Sequence, residues 1–171
     1  MNSRGVLLVV ATLATFLALP DGEASAQTAD RPARVWASLG LGGGGVQDLN
    51  APLALSLQVT AQWGSHHATL RALFMADGIG GSGDEISEVG ILYGRRVASS
   101  FAYAAAAGGL ARVHSLSDYP RETSRTVGLP VVIEAGLQWR VFGLGIQGFG
   151  NLNTVSSFWG VALLLEIGWM P

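Results

Sequence analysis

The sequence has no cysteine and no lysine, and few charges of either sign. Without cysteine there is no disulfide scaffold, thiolate metal site, cysteine nucleophile or cysteine-linked lipid anchor. Charged residues make up 13% of the 171, against roughly 25% in an ordinary soluble domain. All ten bases are arginines and they face twelve acids, a formal charge of −2 that gives no electrostatic footprint for nucleic acid. Hydrophobic residues reach 49%, too many for a disordered chain.

Long apolar runs are absent too, except at the N-terminus. Arg4 is followed by fourteen residues from Val6 to Leu19, interrupted only by Thr12 and Thr15. Pro20 breaks the run, and Ala24-Ser25-Ala26 forms a small-x-small cleavage pattern before Gln27. That is the layout of a secretory signal peptide, and the run is short for a membrane span. Removing residues 1–26 leaves 145 (171 − 26), enough for one domain, with nine arginines against ten acids. Any membrane role of the remainder is therefore not helical.

What is present from Arg34 onward is a period of two. Leu55, Leu57, Val59, Ala61 and Trp63 share one face, and Ser56, Gln58, Thr60 and Gln62 the other. Ala68, Leu70, Ala72 and Phe74 oppose Thr69 and Arg71, and Val89, Ile91 and Tyr93 oppose Glu88 and Gly90. Val127 to Trp139 alternates against Glu134, Gly136 and Gln138, and Trp159 to Trp169 against Gly160, Ala162, Glu166 and Gly168. Weaker runs at Val35–Leu41, Phe101–Val113 and Phe142–Asn151 bring the count to eight strands.

Alternation does not say which face meets water, since a soluble lipocalin-type barrel shares it. Three features choose. The polar face is mainly Gly, Ala, Ser, Thr and Gln, which suits a filled lumen better than a solvated exterior. The connections alternate in length: Gly64-Ser65, Arg140-Val141 and a link at 94–100 are short, whereas 42–52, 77–85, 114–126 and 151–157 are longer. Membrane barrels show that asymmetry between periplasmic turns and external loops. Finally, Trp63, Tyr93, Trp139 and Trp169 fall on the apolar face at the ends of even-numbered strands, with Phe101, Tyr103 and Phe142 beginning the next strands at that level. Rings at one level form an aromatic girdle where acyl chains meet headgroups.

With these features the chain resembles the small eight-stranded outer-membrane barrels, the class that includes the OmpA transmembrane domain and OmpX. The final segment Val161–Trp169 is similar to a barrel-assembly signal, although Met170-Pro171 follow the aromatic residue that usually ends one. The resemblance implies an all-β, eight-stranded antiparallel up-and-down transmembrane barrel, a monomer in a bacterial outer membrane. It implies lipid, lipopolysaccharide and the barrel-assembly machinery as partners. The expected division is signal peptide 1–26, periplasmic tail 27–33 and barrel 34–171.

Arg71, Glu88, Arg112, Glu134 and Glu166 are all expected on the inward face, as a lumen charge network that plugs the barrel. A narrow passive channel is the alternative. His114, Ser115 and Ser117 raise a lipid A deacylase-like enzyme, in which a histidine base activates a serine; the spacing His114-Ser115-Leu116-Ser117 does not set His and Ser two apart on one strand face. Adjacent His66 and His67 point to opposite faces of a strand and hold no metal alone. Gly40, Gly42 and Gly45 match a dinucleotide fingerprint literally, but no helix is expected after them. No cofactor or metal is expected. In the charged loop 114–126, Tyr119, Arg121 and Arg125 are the residues placed to meet a partner. The function expected is non-enzymatic, carried by external loops or by membrane integrity.

Overall fold

The structure, a computed structural model, describes residues 33–46, 52–77, 85–118 and 121–169. The expected signal peptide, all of the tail but Ala33, and Tyr119 lie outside the described residues. Eight strands follow in order: β1 (Arg34–Val46), β2 (Leu53–Trp63), β3 (His66–Ala76), β4 (Glu85–Ala98), β5 (Ala102–Asp118), β6 (Arg121–Gln138), β7 (Phe142–Leu152) and β8 (Phe158–Gly168). Each pairs antiparallel with the next, and β8 returns to β1 from Trp36↔Gly168 to Val46↔Phe158. The sheet is a closed, up-and-down eight-stranded barrel. Closure leaves no wall strand with a bare edge of N–H and C=O groups.

The register fixes the shape. Following paired residues around the wall from Arg34 leads through Gln62, His67, Gly94, Ala107, Val132, Phe149 and Gly160 to Gly44. The walk returns ten residues (44 − 34) beyond its start. Such a stagger tilts the strands by about 35–45° and leaves an interior that side chains can fill.

Local chemistry explains the short turns. Gly64 holds φ +60°, the positive value a two-residue hairpin turn requires. Trp139 N–H donates to the Phe142 carbonyl (2.7 Å) around Arg140-Val141, and the two rings stack at 4.6 Å. Ser99 N–H donates to the Ala102 carbonyl (2.8 Å), so β4 runs on to Ala98 instead of ending near Gly94. Tyr93 consequently lies five residues (98 − 93) before the end of its strand, not at the end.

Two other expected loops are strand. Gly42 to Gly45 belong to β1 and pair with Ala162, Val161, Gly160 and Trp159 of β8. Most of 114–126 is ladder, from His114↔Arg125 to Asp118↔Arg121, so Arg121 and Arg125 belong to β6. The β6–β7 ladder covers only Leu129 to Gln138. Above it β5 and β6 continue as a hairpin ribbon to Asp118↔Arg121, with β4 still paired along β5 as far as Glu85↔Leu116. The β5–β6 ladder is interrupted between Gly108↔Val131 and Ala111↔Gly128, where Pro130 has no N–H to give.

Polarity is partitioned inside out. Leu57 is 56% exposed, Ile133 61% and Leu163 68%, whereas Gln58 is 3% and Glu166 0% exposed.

Candidate functional site: the lumen and the outer face

The lumen is polar at the turn end and apolar at the loop end. Near the turns, Arg96 of β4 reaches across to β8. Its Nη1 lies 3.3 Å from Glu166 Oε1, and its Nη2 donates to Gln138 Oε1 at 2.9 Å. The guanidinium is held between the Tyr103 ring, 3.6 Å from its centroid, and the Trp36 ring at 4.5 Å. Gln138 Nε2 donates to the Ser99 carbonyl (3.1 Å), tying the group to the turn below. Flat, weakly hydrated guanidinium suits this aromatic slot far better than an ammonium would.

Higher up, Gln147 Nε2 donates to Glu134 Oε1 (2.6 Å), and the Thr60 and Thr69 hydroxyls bond each other at 2.9 Å. Above these, Arg71 Nε and Nη2 donate to Glu88 Oε1 at 2.9 and 2.5 Å, and Asn151 Nδ2 donates to Glu88 Oε2 at 2.7 Å. Arg71 and Glu88 are fully buried. At the loop end Met75, Ile86, Val113 and Phe158 fill the lumen, with Leu73 and Phe149 in the same apolar cluster. Ions therefore meet paired charges and then a hydrocarbon stopper.

Four of the five expected lumen charges, Arg71, Glu88, Glu134 and Glu166, line the interior. Arg112 does not: it is exposed on the outer face. The reason lies in β5, where Ala102 to Gly109 is small except for Tyr103 and carries no alternation. Parity there depends on Tyr103, expected outside with the girdle. The pairing Ala98↔Tyr103 puts it inside at 5% exposure, and one change of parity turns every later residue of the strand over. Arg112 lies ten residues (112 − 102) past the start of β5. That places it about 25 Å up the barrel at roughly 3.3 Å per residue and about 40° of tilt. In a membrane barrel, whose apolar band is about 25 Å tall, an outward arginine at that height costs about 0–1 kcal/mol, against about 2–4 kcal/mol at midplane.

The girdle residues are outward: Trp63, Tyr93, Trp139 and Trp169 are all exposed. Tyr93, although set back along β4, donates or accepts at His66 Nδ1 (2.8 Å) and packs 6.3 Å from Trp63, so its ring reaches toward the common level. Phe74 and Trp159 are outward near the opposite rim. Arg125 is exposed on β6, while Arg121 is placed only as a backbone position. His114 and Ser115 point to opposite faces, and among the described residues no acid bonds His114. Its Nε2 has no partner.

Sequence reasoning missed Arg96, Gln138, Gln147 and Asn151. Arg95-Arg96 read as turn because charge next to Gly94 looks like a break. The usable signal was parity, since Arg96 continues the inward series Glu88, Gly90, Leu92 and Gly94.

No protein-family model matches the chain, and no curated protein does. Among solved structures it is similar to Ail, the attachment invasion locus protein of Yersinia pestis, with TM-score 0.56 and 9% identity over 80% of this chain and 96% of that one. It is also similar to Neisserial surface protein A, NspA, with TM-score 0.57 and 8% identity over 80% of this chain and 97% of that one. At these identities the likeness is one of fold, and it agrees with the eight-stranded antiparallel barrel described above.

Proposed function

We propose that this chain is a non-enzymatic outer-membrane barrel protein that presents its external loops and the β5–β6 ribbon for surface interaction. The observation that carries the reading is the inversion of polarity. Large apolar side chains cover the outside while Arg71, Arg96, Glu88 and Glu166 are sealed within. Hydrocarbon is the solvent in which that arrangement is stable, because a closed sheet satisfies its backbone internally and charges facing lipid are costly. A soluble carrier has the opposite arrangement. The apolar stopper at the loop end favours a closed lumen over a passive channel, and the divergence of His114 and Ser115 favours a non-catalytic role over a deacylase. The names of the two similar structures, an attachment invasion locus protein and a surface protein, agree with exposure at the cell surface.

The test is fractionation followed by a gel run with and without heating. The chain is expected with the outer membrane, extracted only by detergent, and migrating as a compact band until heated. Recovery in the aqueous phase without detergent would overturn the reading. In planar bilayers the folded protein is expected to give no steady conductance.

A further inference from the structure

Two observations meet on the outer wall made by β4, β5 and β6. The first is a shallow groove of about 370 Å³ lined by Leu70, Val89, Ile91, Leu110 and Val127, with Arg112 on its loop side. The second is the cationic step above it. Arg112 pairs with Val127, and the next outward pair is His114↔Arg125, so the two arginines hold diagonal positions on one face. Both arginines are exposed, and neither makes an ion pair or hydrogen bond with a described residue. Among the described side chains the acid on this face is Glu85, which lies higher, opposite Leu116.

A groove of aliphatic side chains ending in cations at the upper limit of the apolar band has the shape of a receptor for one acylated, phosphorylated lipid. We propose that it holds a lipopolysaccharide molecule, with an acyl chain along Ile91 and Leu110 and headgroup phosphates on Arg112 and Arg125. Guanidinium gives the paired N–H donors that phosphate oxygens take two at a time. Two such groups side by side fit a head with more than one phosphate better than a phospholipid with one. This assignment rests on the outer-membrane reading above, and it gives Arg112 a purpose that a lumen charge would not have.

The experiment folds the mature chain into phosphatidylcholine vesicles, alone, with lipopolysaccharide, or with phosphatidylglycerol. The temperature at which the compact unheated gel band disappears is then measured. Lipopolysaccharide is expected to raise that temperature for the unsubstituted protein. Arg112→Gln should lose at least half of the rise, Arg125→Gln should lose part of it, and Arg112→Lys, which keeps the charge without the paired donors, should fall between Arg112→Gln and the unsubstituted protein. Phosphatidylglycerol should give a smaller rise. The proposal is overturned by an equal rise in Arg112→Gln and Arg125→Gln, or by an equal rise with phosphatidylglycerol. Failure of the unsubstituted chain to give a compact band in any vesicle would instead overturn the outer-membrane reading.

Discussion

At the scale of single residues, the buried pair Arg71–Glu88 shows what a filled lumen costs and returns. Both groups give up water, and the desolvation is offset only because two N–H donors of Arg71 and the Asn151 amide converge on one carboxylate. Removing one partner leaves the other charged and buried. Arg71→Met is therefore expected to lower stability by about 3–5 kcal/mol, read from urea unfolding of the folded barrel in micelles. Exchanging the charges, Arg71→Glu with Glu88→Arg, should recover part of what either reversal loses; strictly additive losses would show that the two do not act as a pair. The inward placement of Arg71, Glu88, Glu134 and Glu166 was legible because each sits among clear alternation, where a charge facing lipid would have to be explained. Arg112 was not, because the alanines and glycines around it look alike from either side. Arg96 was hidden by its neighbour Arg95.

At the scale of elements, strands with bulky alternating residues declared themselves and the glycine-rich ones did not. β1 read as a weak run ending at Leu41, yet it continues to Val46 because its glycines let it lie close against β8. A Cβ on Gly42 would collide with the Val161 carbonyl and the Ala162 backbone. On Gly43, facing outward, it would meet only the Pro52 carbonyl at ordinary contact, 3.5 Å. Gly42→Val is thus expected to destabilise the seam by about 1–3 kcal/mol, and Gly43→Val to change stability by less than about 0.5 kcal/mol. Heat-modifiable gel mobility against temperature would separate them, and similar effects from both would contradict the register. The ribbon of β5 and β6 was read as a loop for a related reason. Its Ser, Thr, Arg and Asp residues carry no apolar stripe from which a period of two could be read.

For the molecule as a whole, the fold was legible in length, turn spacing and period, while the use made of the loops was not, because nothing in periodicity describes a partner. Leu163 tests the global arrangement. It lies five residues (168 − 163) from the turn end of β8, an eleven-residue strand, and is 68% exposed. Leu163→Arg is expected to cost about 2–4 kcal/mol of membrane stability and to deplete the assembled form. Gln58→Glu, set opposite Arg71 inside the barrel, should assemble far better; the reverse order in an outer-membrane fraction would mean the two faces are exchanged. One more thing follows from the tie between Arg96 on β4 and Glu166 on β8. These side chains stand on distant parts of the rolling sheet and meet only when the cylinder shuts. A half-rolled sheet would carry both as unpaired ions, so zipping the last seam and quenching the two charges become a single event.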